Sequence, residues 1–244
     1  MHSTVVTQNV LVLTVALGGY RLVFDKLIAS HSRYAQRHGY QHALIDKAGK
    51  IHPHAAPWLK LSLAKEALLR NYDVVLVVDA DCLIRQDTPA IATVWKQDKY
   101  VYGVKGFSGR LNSGFLVFKR CPEVLELLEL TLDSCERPVD GQDWGENGHL
   151  IYFSHSYSEL AYLPRCWNNN CDPSARDYVR HFCGGTAMAR NVPISIWRRW
   201  LLLLLRRRIQ RLARCEGLRS QISSRTLYCL ARYPVFHQAQ PART

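Results

Sequence analysis

The chain has 244 residues, a length that fits one large domain or one domain with an appendage. Apolar residues make up 48% of it and charged residues 21%, which excludes a chain too polar to bury a sizeable core. The net charge is +12, and residues 191–244 hold eleven Arg, no Lys and one acid, a net charge of +10. Residues 1–190 hold 21 basic and 19 acidic residues, a net charge of +2, so we expect a nearly neutral body followed by a basic, arginine-rich tail.

Strands and helices are predicted to alternate over the first 130 residues, which favours a largely parallel sheet with helices on both faces. Continuous apolar runs predict strands at 10–15, 41–45, 74–78, 100–104, 112–118, 151–153 and 160–163. Apolar residues at helical spacing predict helices at 20–37, 58–69 and 122–132, and a further helix starting at Thr88 and Pro89. A polar turn is expected at 141–147. The expected fold class is α/β, with a Rossmann-like mixed, mainly parallel sheet flanked by helices and a C-terminal helical tail.

An acidic pair follows the apolar strand 74–78. Residues two apart in extended chain point the same way, so Asp79 and Asp81 can direct two carboxylates at one point. Ligands of open α/β sheets bind beyond the carboxyl ends of the strands, and carboxylate oxygens suit magnesium or manganese. A divalent ion there would neutralise a diphosphate. The alternative is a pair of solvated acids that only cap the next turn.

The eight cysteines show no regular framework, and we expect reduced thiols. A zinc site at Cys166, Cys171 and Cys183 is the alternative, although the spacing is not that of a standard finger. The apolar run 10–17 is too short to cross a membrane, and no secretory signal is evident. The expected location is therefore the cytoplasm, with peripheral attachment to a membrane through the tail.

Several motifs occur in the same order as in one known family. They are YAQRHGY at 34–40, WLK at 58–60, YDVVLVVDAD at 72–81, NSGF at 112–115, QD at 142–143 and HFCGG at 181–185. With its first strand, the chain resembles a nucleotide-sugar glycosyltransferase of the GT-A fold over roughly residues 8–190. It is similar to the galactosyl/mannosyltransferase group of the yeast Golgi type and to glycosyltransferase family 8.

The resemblance implies a role for each matching position. Metal ligands would be Asp79, Asp81 and His181, for Mn²⁺ or Mg²⁺, and the catalytic residues would be Asp143 and Gln142. Nucleotide-sugar contacts are implied for Thr14, Val15, Lys60, Asp79, Ala80, Asn112, Gln142 and Gly184. The chain departs from the family at Gly141, where an acid usually stands, and at 186–189, where no lysine follows the glycines.

The implied reaction moves a hexose or similar sugar from a UDP-sugar to a hydroxyl of a glycan or glycolipid acceptor, with retention at the anomeric carbon. One alternative is a phosphatase of the haloacid dehalogenase type with Asp79 as nucleophile, although no adjacent acidic pair follows downstream. Another is a non-enzymatic basic protein that binds lipid or nucleic acid, although the charge is confined to the tail.

The tail contains an arginine- and leucine-rich stretch at 193–214. It reads WRRW at 197–200, then five leucines and three arginines, on an imperfectly amphipathic helix. Arginine with Trp and Leu is typical of a helix that lies in the plane of an anionic membrane surface. A helix docked on the body and a sequence-blind contact with nucleic acid are the alternatives, and no specific nucleic-acid partner is expected.

Overall fold

The computed structural model describes residues 8–70, 72–141, 144–198, 200–201, 203–205 and 217–237. Two sheets are formed by strands β1 (Val10–Val15), β2 (Gln41–Ile45), β3 (Val74–Val78), β4 (Cys82–Ile84), β5 (Val101–Lys105), β6 (Leu111–Lys119), β7 (Leu160–Tyr162) and β8 (Val179–His181). The large sheet has the order β2-β1-β3-β6-β5-β7, and β4 pairs with β8 in the small one. In the large sheet β6 runs against the direction shared by the other five strands, which confirms the mixed, mainly parallel sheet.

Helices cover both faces of the large sheet. They are α1 (Tyr20–Val23), α2 (Asp25–Arg37), α3 (Ala56–Arg70), α4 (Pro122–Asp133), α5 (Glu146–Ser154), α6 (Ala187–Arg190), α7, whose described helical residues are 196–198, 200–201 and 203–205, and α8 (Leu218–Arg232). Short 3₁₀ helices lie at Ile91–Val94, Arg165–Trp167 and Pro234–Phe236.

The central strand β3 is buried along its whole length. Because side chains alternate across a strand, Val75 and Val77 pack in the core beneath α3 and α4. Val74, Leu76 and Val78 pack in the opposite core, which includes residues of α2. A strand covered on both faces reads as a continuous apolar run, which is why its bounds match the prediction.

Three sequence-based expectations are wrong. The helix expected at 20–37 is interrupted at Phe24, where φ is −107° and ψ is 24°, so two helices form. No helix starts at Thr88, whose hydroxyl donates instead to the carbonyl of Tyr178 at 2.9 Å, and a 3₁₀ turn begins at Ile91. The expected strand at 151–153 is part of helix α5. A three-residue apolar run does not distinguish a buried strand from a buried helix.

Within the basic region 191–244, residues 217–237 pack on the body. Cys229 and Phe236 are buried in the core beneath α3. The hydroxyl of Ser62 on α3 lies 2.8 Å from that of Thr226 on α8, and the hydroxyl of Tyr233 accepts from the backbone N–H of Lys47 at 2.9 Å. Among the described residues, no helix is both long enough and apolar enough to cross a membrane.

Candidate active site

A cavity of about 240 Å³ lies at the edge of the large sheet where β1 and β3 end. Its wall includes Val15 at the end of β1 and Asp79, Ala80 and Asp81 directly after β3. The volume is just below the roughly 300–1,000 Å³ typical of small-molecule sites. The cavity therefore lies where ligands of α/β sheets bind, beyond the carboxyl ends of parallel strands.

The reversed direction of β6 brings a second set of polar residues to the same edge. Since β6 runs antiparallel to β3, its amino end lies beside the carboxyl end of β3. The backbone N–H of Asp79 donates to the carbonyl of Gly114 at 2.9 Å. Asn112 and Ser113, at the start of β6, therefore lie next to the acidic pair.

Lys60 on α3 lies between two carboxylates, that of Glu146, which is buried, and that of Asp79, which is half-buried. Its Nζ donates to Oδ1 of Asp79 at 2.8 Å and lies 3.1 Å from Oε1 of Glu146, at the start of α5. The hydroxyl of Ser113 donates to the same Oε1 at 2.8 Å. Burial by itself lowers the pKa of Lys60, but Asp79 and Glu146 raise it overall, so the ammonium stays charged.

The small sheet brings His181 to Asp81. Cys82 on β4 pairs with His181 on β8, and the backbone N–H of Phe182 donates to the carbonyl of Asp81 at 3.0 Å. As a result Nε2 of His181 lies 3.4 Å from Oδ1 of Asp81. Burial by itself lowers the pKa of His181, but the Asp81 carboxylate raises it overall. The pair therefore attracts positive charge to the space between the two atoms.

A chain of hydrogen bonds fixes the tautomer of His181. The backbone N–H of Gly114 donates to Oδ1 of Asn112 at 3.1 Å, which identifies that atom as the oxygen. Nδ2 of Asn168 donates to the same oxygen at 2.8 Å, so Oδ1 of Asn168 is left as an acceptor. It faces Nδ1 of His181 at 3.1 Å, and Nδ1 therefore carries the hydrogen. In the neutral ring, the lone pair of Nε2 points at the carboxylate of Asp81.

The imidazole ring rests directly on Gly114. A Cβ at this position would fall 2.2 Å from Cε1 and 2.4 Å from Nδ1 of His181, closer than real contacts allow. The glycine of the NSGF motif therefore provides the space in which the His181 ring lies. The motif positions the ring both by this space and through the side chain of Asn112.

The donor set fits a small divalent cation. Oδ1 of Asp81 and Nε2 of His181 are two acceptors that face each other, one oxygen and one nitrogen. Sγ of Cys82 lies within 4.8 Å of both and donates to the carbonyl of Gly114 at 3.5 Å, and burial raises the pKa of its thiol well above the ordinary value. Asp79 directs Oδ1 at Lys60, so of the three expected ligands Asp81 and His181 are the two whose acceptors meet.

A solved structure has a similar fold. It is the crystal structure of a glycosyltransferase involved in the glycosylation of the major capsid of PBCV-1. The match has a TM-score of 0.58 at 14% sequence identity and covers 80% of this chain and 99% of that chain. The chain has a glycosyltransferase fold. No protein-family model matches the sequence, and no curated protein matches it.

The remaining expected site residues take different positions in this fold. Thr14 is buried behind the cavity wall, with its hydroxyl 2.9 Å from Nδ1 of His31 and 3.3 Å from Nε2 of His42. Gly184 has open space around its Cα, because no atom of the described residues lies within 4 Å of the place that a Cβ would take. The two expected catalytic residues, Gln142 and Asp143, lie outside the described residues.

Three residues of the site have no counterpart among the sequence-based candidates. Glu146 lines the cavity and contacts Lys60, Asn168 holds His181, and Ser113 bonds Glu146. The run of three asparagines at 168–170, all buried, was the one sequence signal that pointed to such a role. Glu146 gave no signal, because it stands in a segment with the composition of a turn.

Proposed function

We propose that the chain is a metal-dependent glycosyltransferase that moves a hexose or a similar sugar from a UDP-sugar to a hydroxyl of a glycan or glycolipid. The observation that supports this most strongly is the facing pair of acceptors on Asp81 and His181 beside the cavity, in a chain with a glycosyltransferase fold. The UDP donor and retention at the anomeric carbon rest on the resemblance to the galactosyl/mannosyltransferase group and to family 8.

Asp81 and His181 would hold Mn²⁺ or Mg²⁺, with Asp79 as the third ligand. When bound, the ion supplies positive charge to the diphosphate, which stabilises the negative charge that develops as UDP departs. The protein contributes an imidazole fixed in one tautomer by Asn168 and one ring position by Gly114. Such outer contacts orient a ligand before the ion arrives.

Two residues of the cavity wall beside Asp79 supply polar contacts for the donor. Lys60 presents a buried positive charge, which suits the diphosphate or the sugar it carries. Glu146 is held by Lys60 and Ser113 through Oε1, and it lines the cavity as a fixed acceptor for sugar hydroxyls. By the resemblance, Asp143 would lie nearest the anomeric carbon, and Asn112 and Gln142 would contact the donor sugar.

The proposed function is tested by release of UDP from a panel of UDP-hexoses, with manganese or with a chelator present. We expect slow hydrolysis of at least one donor that requires the metal and is lost in His181→Ala. As a matched control, His155→Ala changes an exposed histidine of the same body and keeps the activity. Metal-dependent cleavage of p-nitrophenyl phosphate, with no UDP-hexose turned over, would instead identify a phosphatase. If the chain were inactive in both assays and did not bind UDP, the remaining candidate would be a non-enzymatic basic protein that binds lipid or nucleic acid.

A further inference from the structure

Helix α7 turns an apolar face to solvent. Ile196, Trp200 and Leu204, spaced four residues apart, share one side of the helix and are 70%, 61% and 62% exposed. Trp197 beside them is 81% exposed, and Leu201 and Leu203 are exposed as well. Six large apolar side chains exposed on one short helix are the opposite of the usual amphipathic arrangement, in which the apolar side faces the core.

The other side of α7 is fixed to the body. The guanidinium of Arg198 donates to both carboxylate oxygens of Asp25 on α2, with Nη2 3.0 Å from Oδ2. Leu205 packs so tightly on Gly19 that a Cβ there would fall 2.4 Å from Cδ1 of Leu205. Gly19 stands between Gly18 and Tyr20, which line the cavity. The apolar face of α7 therefore points away from the body, and α7 lies beside the cavity-lining loop at 18–20.

We propose that this face of α7 seats the protein on the surface of an anionic phospholipid bilayer. Tryptophan is enriched at the level of lipid headgroups, and arginines adjacent to such a helix bind anionic lipid. Positions 206–214 of the sequence supply five arginines, Arg206, Arg207, Arg208, Arg211 and Arg214, and no acid occurs between positions 191 and 215.

Charge also argues against a second copy of the chain as the occupant. In a two-fold dimer the same patch meets itself, so the two arginine-rich segments would approach each other. A bilayer bearing acidic headgroups meets them with opposite charge. The described residues of α7 extend about 14 Å from Ile196 to Leu205, and the proposal places them in the plane of the bilayer surface, where an apolar face with neighbouring arginines binds.

Attachment of α7 to a bilayer extends the proposed function, on which this inference rests, because it indicates the class of the acceptor. Trp197 and Trp200 lie on the same helix as Leu205, within about 15 Å along its axis. Leu205 contacts the loop that lines the cavity. An acceptor sugar anchored in the bilayer by a lipid is thus held close to the donor site, and we infer that the hydroxyl acceptor is lipid-linked.

The test is co-sedimentation of the full chain with vesicles of phosphatidylglycerol and phosphatidylcholine, or of phosphatidylcholine alone. The variant is Trp197→Ser with Trp200→Ser. The matched control is Leu227→Ser with Tyr228→Ser, which removes two exposed apolar residues of α8, 67% and 38% exposed. Point changes are used because residues 217–237 pack in the core, so truncation at 191 would also disturb the body. Calorimetric binding of UDP with manganese is measured on each variant.

We expect the wild type and the α8 control to bind anionic vesicles at least about tenfold more tightly than neutral ones, with binding weakened by salt. The α7 variant should lose at least about tenfold in anionic vesicle affinity while its UDP binding is unchanged. Equal vesicle binding by the α7 variant and the control would overturn the proposal. The proposal would also be overturned if the wild type did not bind vesicles but formed a dimer in sedimentation, and if the α7 variant did not form that dimer. Because UDP binding is measured separately from vesicle binding, a wrong assignment of the membrane surface can be distinguished from a wrong assignment of the donor site.

Discussion

Oδ1 of Asn168 accepts a hydrogen bond from Nδ1 of His181 at 3.1 Å, and this contact fixes which ring nitrogen faces Asp81. Removing it in Asn168→Ala frees the ring to rotate and to change tautomer. We expect manganese-dependent UDP binding to weaken by about 10- to 100-fold, the usual effect of losing the group that orients a metal ligand. Titration of manganese in the presence of UDP measures this.

Asn170→Ala is the matched control for that substitution. Asn170 is buried two positions away, and neither polar atom of its side chain has a hydrogen-bond partner among the described residues. We expect its manganese affinity to stay within about threefold of the wild type, because it does not touch the His181 ring. If both asparagine variants lost affinity equally, the orienting role of Asn168 would have no support.

Gly114→Ala forces a methyl group into the space of the His181 ring, 2.2 Å from Cε1. The ring has to move, and overpacking of this kind costs about 1–3 kcal/mol of stability. Thermal unfolding should show a lower Tm, and binding of manganese with UDP should be lost. Gly184→Ala adds the same methyl group where no atom of the described residues lies within 4 Å, and its Tm should equal that of the wild type. Equal Tm values for the two variants would contradict the tight contact.

Lys60→Met removes the cation between Asp79 and Glu146 and leaves two carboxylates without their partner, Glu146 buried and Asp79 with a side chain 30% exposed. Breaking a buried ion pair from one side costs about 3–5 kcal/mol, and we expect a loss at or below the lower end of that range in the free energy of unfolding by urea, because water reaches Asp79. Adding Glu146→Gln to Lys60→Met removes one of the two stranded charges. The double variant should therefore be more stable than Lys60→Met alone. If the loss of stability in the double variant equalled the sum of the losses in Lys60→Met and in Glu146→Gln, the three groups would not interact.

Two histidines behind the cavity, His31 buried and His42 half-buried, make stability depend on pH. Burial lowers the pKa of His31 to about 3 and that of His42 to about 4, from an ordinary value of 6.5. Below about pH 6.5 the unfolded chain binds protons that the folded chain does not, so the folded state loses stability as pH falls towards 4. Each histidine should contribute roughly 2 kcal/mol to the loss at about pH 5, since one pKa unit corresponds to about 1.4 kcal/mol.

His42→Gln removes one of these two groups and should flatten the fall in the free energy of unfolding between about pH 6.5 and pH 5. Urea unfolding at a series of pH values measures the slope, which is independent of any constant loss from the missing hydrogen bond to Thr14. A variant with the same slope as the wild type would show that His42 is protonated in the folded chain.

The sequence was informative where one segment determined its own structure. The buried run 74–78 specified β3 and, with it, the place of Asp79 and Asp81. It was not informative where distant segments meet. The contact of His181 with Asp81 depends on β4 pairing with β8, across about a hundred positions of chain, and no local pattern encodes it. Glu146 was missed because packing against Lys60, rather than composition, makes it part of the site.

The helix break at Phe24 and the helical state of 151–153 escaped prediction for a related reason. The run 151–153 satisfies either a strand or a helix, and burial against the rest of the chain decides between them, whereas the break at Phe24 is a single backbone conformation that the apolar spacing on either side does not encode. Expectations based on long runs, such as β1 and α4, agree with the structure to within a residue.

The pair formed by Asp81 and His181 is tested most directly by calorimetric titration of UDP into the full chain, with and without manganese. We expect UDP to bind in the presence of the metal, to bind at least about tenfold more weakly without it, and to lose the metal-dependent part in Asp81→Ala. Asp87→Ala, which changes an exposed aspartate six positions away, should bind as the wild type does. Binding of UDP that is the same with and without manganese, or the same in Asp81→Ala as in Asp87→Ala, would contradict a metal-dependent donor site at this pair.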